Sequence, residues 1–215
     1  EKFLAKANEH KGVKLVSLMT HGPGVLHSAK QVSTLDQVKG MKLRIGGGVA
    51  GDVGAALGAT GIRVPAPKVY ETLASNAADG VMMPFEGKKS FKLTEVAQHT
   101  YEVPGGFYRG SFAIIMNQDQ FDSLSAKDQK ALGPEFSEAV AKMAGSIWDQ
   151  IDAGGRAASA KADGNTATMA GQADADTWSK MAMPIIDSVL GEVNKAGIDA
   201  AAVRTFIDKE MKAYK

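Results

Sequence analysis

Arg44 lies in the stretch MKLRIGGGVAGDVGAALGATG, residues 41 to 61, and it poses the sharpest chemical question in the chain. Flanked by Leu43 and Ile45, it falls in a short apolar run, Met41 to Ile45, whose pattern predicts a buried strand. An unpaired guanidinium in such a place is costly, so it must meet either an internal acid or an incoming anion. Arginine suits a carboxylate because its planar fork makes two parallel hydrogen bonds. Gly46, Gly47 and Gly48 follow, adding no bulk and exposing backbone N–H groups, and the helix start predicted after them adds a positive end. Strand, arginine, glycines and helix start together make a small-anion site.

The same glycines admit a second chemistry. Gly46, Gly48 and Gly51 fit G-x-G-x-x-G, the loop that cradles a dinucleotide phosphate. That reading also needs an Asp or Glu at the end of the following strand to hold the ribose hydroxyls. The next strand pattern, IRVPAP, ends in proline without an acid, and Glu71, about 20 residues on, falls inside a helical pattern. The Lys-Ser/Thr of a P-loop is missing as well. The blandest reading is that the glycines only permit a tight turn from strand to helix. Other reactive constellations do not emerge. The four histidines, His10, His21, His27 and His99, show no H-x-x-x-H spacing, and there is no G-x-S-x-G. With no cysteine, disulfides, thiolate metal sites and a cysteine nucleophile are excluded. No catalytic residue, cofactor or metal site is expected.

The elements that must hold Arg44 follow from periodicity. A chain of 215 residues with 44% hydrophobic and 23% charged residues can bury an ordinary core in one large domain or two small ones. A net charge of +1 gives no sign of a nucleic-acid or anionic-membrane partner. No apolar run approaches the roughly 20 residues needed to span a bilayer. GVKLVSLM (12–19) reads as a strand, THGPGVLHSAKQV as a turn region, and STLDQVKG (33–40) as a short helix. MKLRI, IRVPAP and VMMP read as strands, with GDVGAALGATG and KVYETLASNAADG as helices between them. FEGKKSFKLTEVAQ (85–98) reads as one amphipathic helix, YEVPGG as a loop and FYRGSFAIIMN (107–117) as the longest strand. Ser125 and Asp128 form a capping pair opening a long helix towards Lys161, irregular at Gly133-Pro134. GNTATMAG reads as one more strand, and two helices, about 174–195 and 199–214, finish the chain. Strands alternating with helices predict an α/β fold.

Three segments carry a family resemblance. DQVKGMKLRI resembles the D-x-x-G-x-K-[IL]-R segment of the substrate-binding proteins of tripartite ATP-independent periplasmic (TRAP) transporters, with Arg44 at the family's arginine. KVYETLASNAADGVMMP is similar to the E-V-Y-x-A-L-x-x-G-x-x-D-G-x-x-x-P segment, matched by Tyr70, Leu73, Asp79, Gly80 and Pro84. FAIIMNQDQFDSLSAKDQKAL resembles the strand leading into N-x-x-x-[WFY]-x-x-L-x-x-[DE]-x-Q, matched by Asn117, Phe121, Leu124, Asp128 and Gln129. THGPGVLHSAK resembles a branch carrying HGPG where the chain crosses between lobes. Lys68, Asn76, Met82 and Met83 depart from the common pattern and make that side of the site less polar.

The resemblance implies a two-lobe periplasmic-binding-protein-like α/β fold with mixed sheets and a long bridging helix, here lacking much of the first lobe. It assigns residues 1–21 to the first lobe, 22–110 to the second, 111–150 to the first lobe and the long helix, and 151–215 to the second lobe and C-terminal helices. The opening EKFLAKANEHKG, without a start Met, reads as the tail of a helix in a mature or truncated product. Truncation would leave exposed apolar surface and a dimer or a partner fragment to cover it. The implied function is capture of an organic acid anion in the periplasm, through an Arg44–carboxylate salt bridge, for the membrane subunits of a TRAP transporter. Gly46 and Gly47 would border the anion. His21 and His27 would hydrogen-bond it, or else be surface loop histidines. Met83, Phe85, Phe107 and Tyr108 would line an apolar pocket for its tail, or else pack the core. Arg109 would add a second positive charge, or else be a solvated strand-end residue. Glu86 reads as a helix cap, and Trp148 and Trp178 as core. The alternatives are a dinucleotide-binding enzyme using Gly46 to Gly51 and the ligand-sensing module of a receptor.

Overall fold

The computed structural model describes residues 3, 7 and 9–213. The chain runs from β1 (Val13–Thr20) through the Gly22-Pro23-Gly24 corner into β2 (Val25–Ser28), then β3 (Lys42–Ile45), α1 (Val49–Ala56) and β4 (Thr60–Arg63). α2 (Val69–Ala74), β5 (Gly80–Met83), α3 (Gly87–Ser90), α4 (Leu93–Val96) and β6 (His99–Glu102) follow. β7 (Ser111–Asn117) leads into α5 (Gln118–Asp122), α6 (Ala126–Ala131) and α7 (Pro134–Lys161), and the chain ends with β8 (Thr166–Met169), α8 (Gln172–Lys195) and α9 (Ala200–Ala213).

These strands make two sheets, one of six strands in the order β4-β3-β5-β2-β6-β8 and one of two, β1-β7. In the large sheet β3 is parallel to β4 and β5, β6 is parallel to β8, and β2 runs antiparallel to both its neighbours. The sheet is mixed, as the family resemblance implies. Helices cover both of its faces, so its central strands are apolar on both sides instead of alternating. In β5, Met82 joins a core with Leu26, Leu43, Ile45, Tyr101, Phe107 and Trp178. Val81 and Met83 join the opposite core with Val69, Leu73, Leu93 and Ala97.

The small sheet is antiparallel, with Val13 opposite Asn117 and Thr20 opposite Ser111, and a bulge between Leu15 and Ser17. α7 packs against β1, where the Ser17 hydroxyl donates to the Ser137 carbonyl (2.8 Å). Leu18, Phe112 and Ile115 on this sheet, and Phe136, Met143, Ile147 and Ile151 on α7, remain exposed.

Several elements differ from the sequence reading. VLHS, read as part of a turn region, is a fully buried strand, and β6 occupies residues read partly as loop. The segment 85–98 is two single turns, because Lys92 takes the left-handed conformation (φ 52°) that ends α3 and starts α4. β7 starts at Ser111, with residues 107–110 serving as a crossing segment joined to Gly24 by an isolated bridge at Tyr108. The long helix is divided: α6 opens on the Ser125 cap, whose hydroxyl accepts from the Asp128 N–H (3.2 Å). α7 restarts with Pro134 in its first turn, where a missing N–H costs nothing.

Candidate functional site

β3 carries Arg44 in register with Ile62 of β4 and Val81 of β5, so the arginine enters the site from the interior of a sheet. Only 6% of its surface is exposed. Burial lowers its pKa from the ordinary value, although nearby Tyr108 pulls the other way, and an arginine remains a cation throughout. Nε donates to the Val64 carbonyl at 2.9 Å, which fixes the plane of the fork. Among the described residues Arg44 forms no salt bridge. Among the described residues no buried side-chain nitrogen lacks a partner and Arg44 shows no other hydrogen bond, so its terminal nitrogens hold the little solvent exposure the residue keeps. The internal acid that the sequence allowed is not there.

The loop beyond β3 leaves room for a guest. A Cβ built on Gly46, Gly47 or Gly48 would meet nothing within 4 Å. Gly48 takes a positive φ (61°), which lets the strand turn directly into α1. β3, α1 and β4 form a parallel βαβ unit, but β4 ends at Arg63, followed by Val64 and Pro65. It offers no carboxylate to a ribose.

Tyr108 arrives from the crossing segment. Its ring lies against bare Gly24, where a Cβ would come within 2.2 Å, and its hydroxyl donates to the Met82 carbonyl (3.1 Å). Burial pushes its pKa up to about 12, against the opposing charge of Arg44, so it is neutral at physiological pH. A neutral phenol near a buried guanidinium can accompany a carboxylate without repelling it.

The other predicted residues are distributed around this pair. His21 is buried, with Nδ1 at 2.5 Å from the Gly22 carbonyl and Nε2 accepting from the Gly110 N–H at 2.8 Å. His27 is not a loop residue: it is fully buried in β2, with Nδ1 against the Thr100 hydroxyl (2.9 Å) and Nε2 against the Pro84 carbonyl (3.2 Å). Phe107 packs edge-on against Trp178 in one core, and Met83 belongs to the other. Phe85 is buried between His27, edge-on at 5.4 Å, and the Arg156 guanidinium, 3.8 Å above its ring. Arg109 is exposed. Glu86 precedes α3 without a side-chain cap bond to its backbone, and its own N–H donates to Asp152 (2.8 Å). Trp148 is half-buried, stacked on Phe112 at 5.8 Å.

Sequence reasoning missed the inner face of α7. Arg156 makes a fork-to-fork pair with buried Glu102 (2.9 and 2.7 Å), and Asp152 holds the Glu86 N–H. Gly155, between them, lies so close to Phe85 that a Cβ would stand 2.0 Å from its carbonyl oxygen. Spacing alone signals these residues, since 152, 155, 156 and 159 share one helical face. Arg156 and Ser159 help line a cavity of about 170 Å³ together with Phe85 and Asn165, and a wider one of about 400 Å³ opens near Lys89 and Ile151. Neither is lined by Arg44. Among the described residues no helix is long and apolar enough to cross a membrane.

Residues 1–192 match the family described as bacterial extracellular solute-binding protein, family 7 (DctP). A curated relative, named outer membrane transporter protein TsaT, from Comamonas testosteroni, is 27% identical over 208 residues, covering 96% of this chain and 61% of that protein. A crystal structure of a TRAP periplasmic solute-binding protein from Bordetella bronchiseptica, with bound (R)- and (S)-mandelate, superimposes with a TM-score of 0.95 at 36% identity, covering all of this chain and 68% of the other. A TRAP solute-binding protein from Rhodoferax ferrireducens, in complex with copurified benzoate, superimposes with a TM-score of 0.85 at 25% identity, covering 94% and 65%. The chain therefore spans about three fifths to two thirds of these relatives. The mixed two-sheet fold, the three matching segments and this profile agree: the chain belongs to the bacterial extracellular solute-binding protein family 7, the substrate-binding proteins of TRAP transporters.

Proposed function

We propose that this protein captures a small organic acid, an aromatic carboxylate in the first instance, by a two-pronged hydrogen bond from Arg44, and presents it in the periplasm to the membrane subunits of a TRAP transporter. One observation carries the reading: Arg44 is buried and pinned by Nε to Val64, yet it has no acidic partner among the described residues. A cation held this way is unsatisfied until an anion arrives. Mandelate and benzoate in the similar structures share one carboxylate and one aromatic ring, which suits a positive fork beside Tyr108 and the open glycine loop.

In this reading residues 1–21 and 111–150 belong to one lobe, and 22–110 with 151–215 to the other. The exposed apolar face of β1, β7 and α7 is the base on which the remaining third of the relatives' length builds the rest of the first lobe. Closure of the lobes over the ligand expels water and strengthens the Arg44–carboxylate pair. Gly46 and Gly47 give the anion room, and Phe85, Met83 and Phe107 back the walls instead of touching the guest.

Calorimetric titration with benzoate and mandelate tests this. A ligand at 1,000 times its Kd adds about 4 kcal/mol of stability, which a thermal melt also reads. Arg44→Ala should weaken binding by about 100-fold, since it removes one partner of a desolvated charge pair. Arg44→Lys should recover part of it, because a point charge does not reproduce the fork. Unchanged affinity in Arg44→Ala refutes the proposal.

A further inference from the structure

His21 occupies the junction where the chain passes twice between the two sheets. The first passage runs from Thr20 to Gly24, and the second from Tyr108 to Ser111. The His21 N–H donates to the Gly110 carbonyl (3.2 Å), and the ring adds two further bonds. The Gly22 carbonyl can only accept, so Nδ1 carries the proton; the Gly110 N–H can only donate, so Nε2 is bare. The neutral Nδ1–H tautomer is thus dictated by the backbone on both sides. Gly110 has no side chain for a reason: a Cβ would stand 2.7 Å from Nε2.

The ring is also a wedge. It lies edge-on against Tyr108 at 5.3 Å, and tilted against Phe112 of β7 and Trp148 of α7 at 5.8 and 6.0 Å. Tyr108 is held from its other side by Gly24, whose N–H donates to the Tyr108 carbonyl (2.9 Å). Tyr108 in turn lies within electrostatic reach of the Arg44 guanidinium.

Resting on the carboxylate-capture reading, we propose that His21 is a positioning residue for that capture: its neutral imidazole buckles the two crossing segments together, holds Tyr108 beside Arg44, and lets go when it is protonated. A proton on Nε2 would face the Gly110 N–H, and two donors cannot share that contact. The charged groups around the ring oppose one another. Asp152 on α7 favours the imidazolium, Arg109 on the crossing segment disfavours it, and Tyr108 is uncharged. Asp149 and Arg156, also on α7, act on Asp152 with opposite signs. Burial, the largest influence, holds the His21 pKa below its ordinary value, so the buckle is closed at neutral pH and opens on acidification.

The experiment is a benzoate titration of the wild type, His21→Asn and Gly110→Ala, stepped from pH 7.5 to 5.0, where benzoate stays largely anionic. Both variants are checked by circular dichroism. Gly110 does not use a positive φ, so alanine there displaces the imidazole without straining the backbone. Both variants should bind about tenfold more weakly at pH 7.5, the cost of about one lost hydrogen bond carried to the ligand. The wild type should weaken as the pH falls, whereas the variants should give flat profiles. If the wild type binds and folded His21→Asn matches it in affinity and pH dependence, the buckle is refuted while carboxylate capture stands. If the wild type binds neither benzoate nor mandelate, the capture reading fails and this proposal fails with it.

Discussion

His27 gives the sharpest test of how the large sheet is held together. It is fully buried between β5 and β6, and its pKa is pulled from 6.5 to about 3. Burial is the main cause; the positive charges of Lys88 and Arg156 add to it, outweighing the bond to the Pro84 carbonyl. The folded imidazole is therefore neutral across the range in which an unfolded one takes up a proton. Its contribution to stability is complete above pH 6.5 and is lost as the pH falls towards 3, because the unfolded state binds the extra proton. Integrating between these two values gives a loss of about 2 kcal/mol from pH 7 to pH 5 and about 3 kcal/mol from pH 7 to pH 4. Half-buried Asp152 and buried Glu86, whose pKa values desolvation raises, pull the total in the opposite direction. The informative quantity is therefore a difference. Urea unfolding of the wild type and His27→Gln at pH 7, 6 and 5 should show the wild type losing about 2 kcal/mol more than the variant. Parallel curves would mean that the folded imidazole accepts a proton at an ordinary pH, and the account of this strand would be refuted.

Other predictions address α7 and the loop beneath it. Gly155→Ala should destabilise the protein by about 3 kcal/mol in chemical denaturation, because its Cβ would meet the Phe85 carbonyl. Gly154→Ala, one position away and facing open space, should stabilise it by about 0.5 to 1 kcal/mol through helix propensity. Arg156→Ala should cost about 2 kcal/mol by stranding Glu102, and Glu102→Gln in the same chain should restore part of it, as a double-mutant cycle would read. Lys88 is buried, and its ammonium donates to the Ala97 and Gln98 carbonyls and Asn165; burial lowers its pKa from 10.5 to about 8. A lowered lysine pKa releases a proton on folding, so wild-type stability should rise by about 2.5 kcal/mol from pH 7 to pH 10 relative to Lys88→Met.

Patterns that depend on a residue and its near neighbours were legible from the sequence. The Ser125–Asp128 cap, the break near Gly133-Pro134, the strand in GNTATMAG and the burial of Arg44 between Leu43 and Ile45 all have local causes. Arg44 drew attention because its type and surroundings conflict. What could not be read depends on partners far along the chain. β2 has four buried residues and no alternation, since both its faces and both its edges are covered. Its Gly-Pro-Gly approach favours a turn. β6 spells His-Thr-Tyr-Glu, letters that read as surface until His27 meets Thr100, Asp174 meets Tyr101 and Arg156 meets Glu102. His21 and His27 could not be told apart by spacing, yet one ties loops and the other fills a sheet. The helix predicted over residues 85–98 failed at Lys92, which takes a left-handed conformation, while Lys88 folds inward to bind the Ala97 and Gln98 carbonyls, a long-range arrangement the local pattern does not signal.

The pairing of Thr20 with Ser111 closes a loop of about ninety residues, and all but one strand of the large sheet lie inside it. β1 therefore cannot find its mate in the nascent chain until all but one strand of the large sheet have been made. Its neighbours in the nascent chain must fold without it, and the small ladder, which joins the strand pair farthest apart in sequence, should be the slowest amide-protection signal to appear in a refolding experiment.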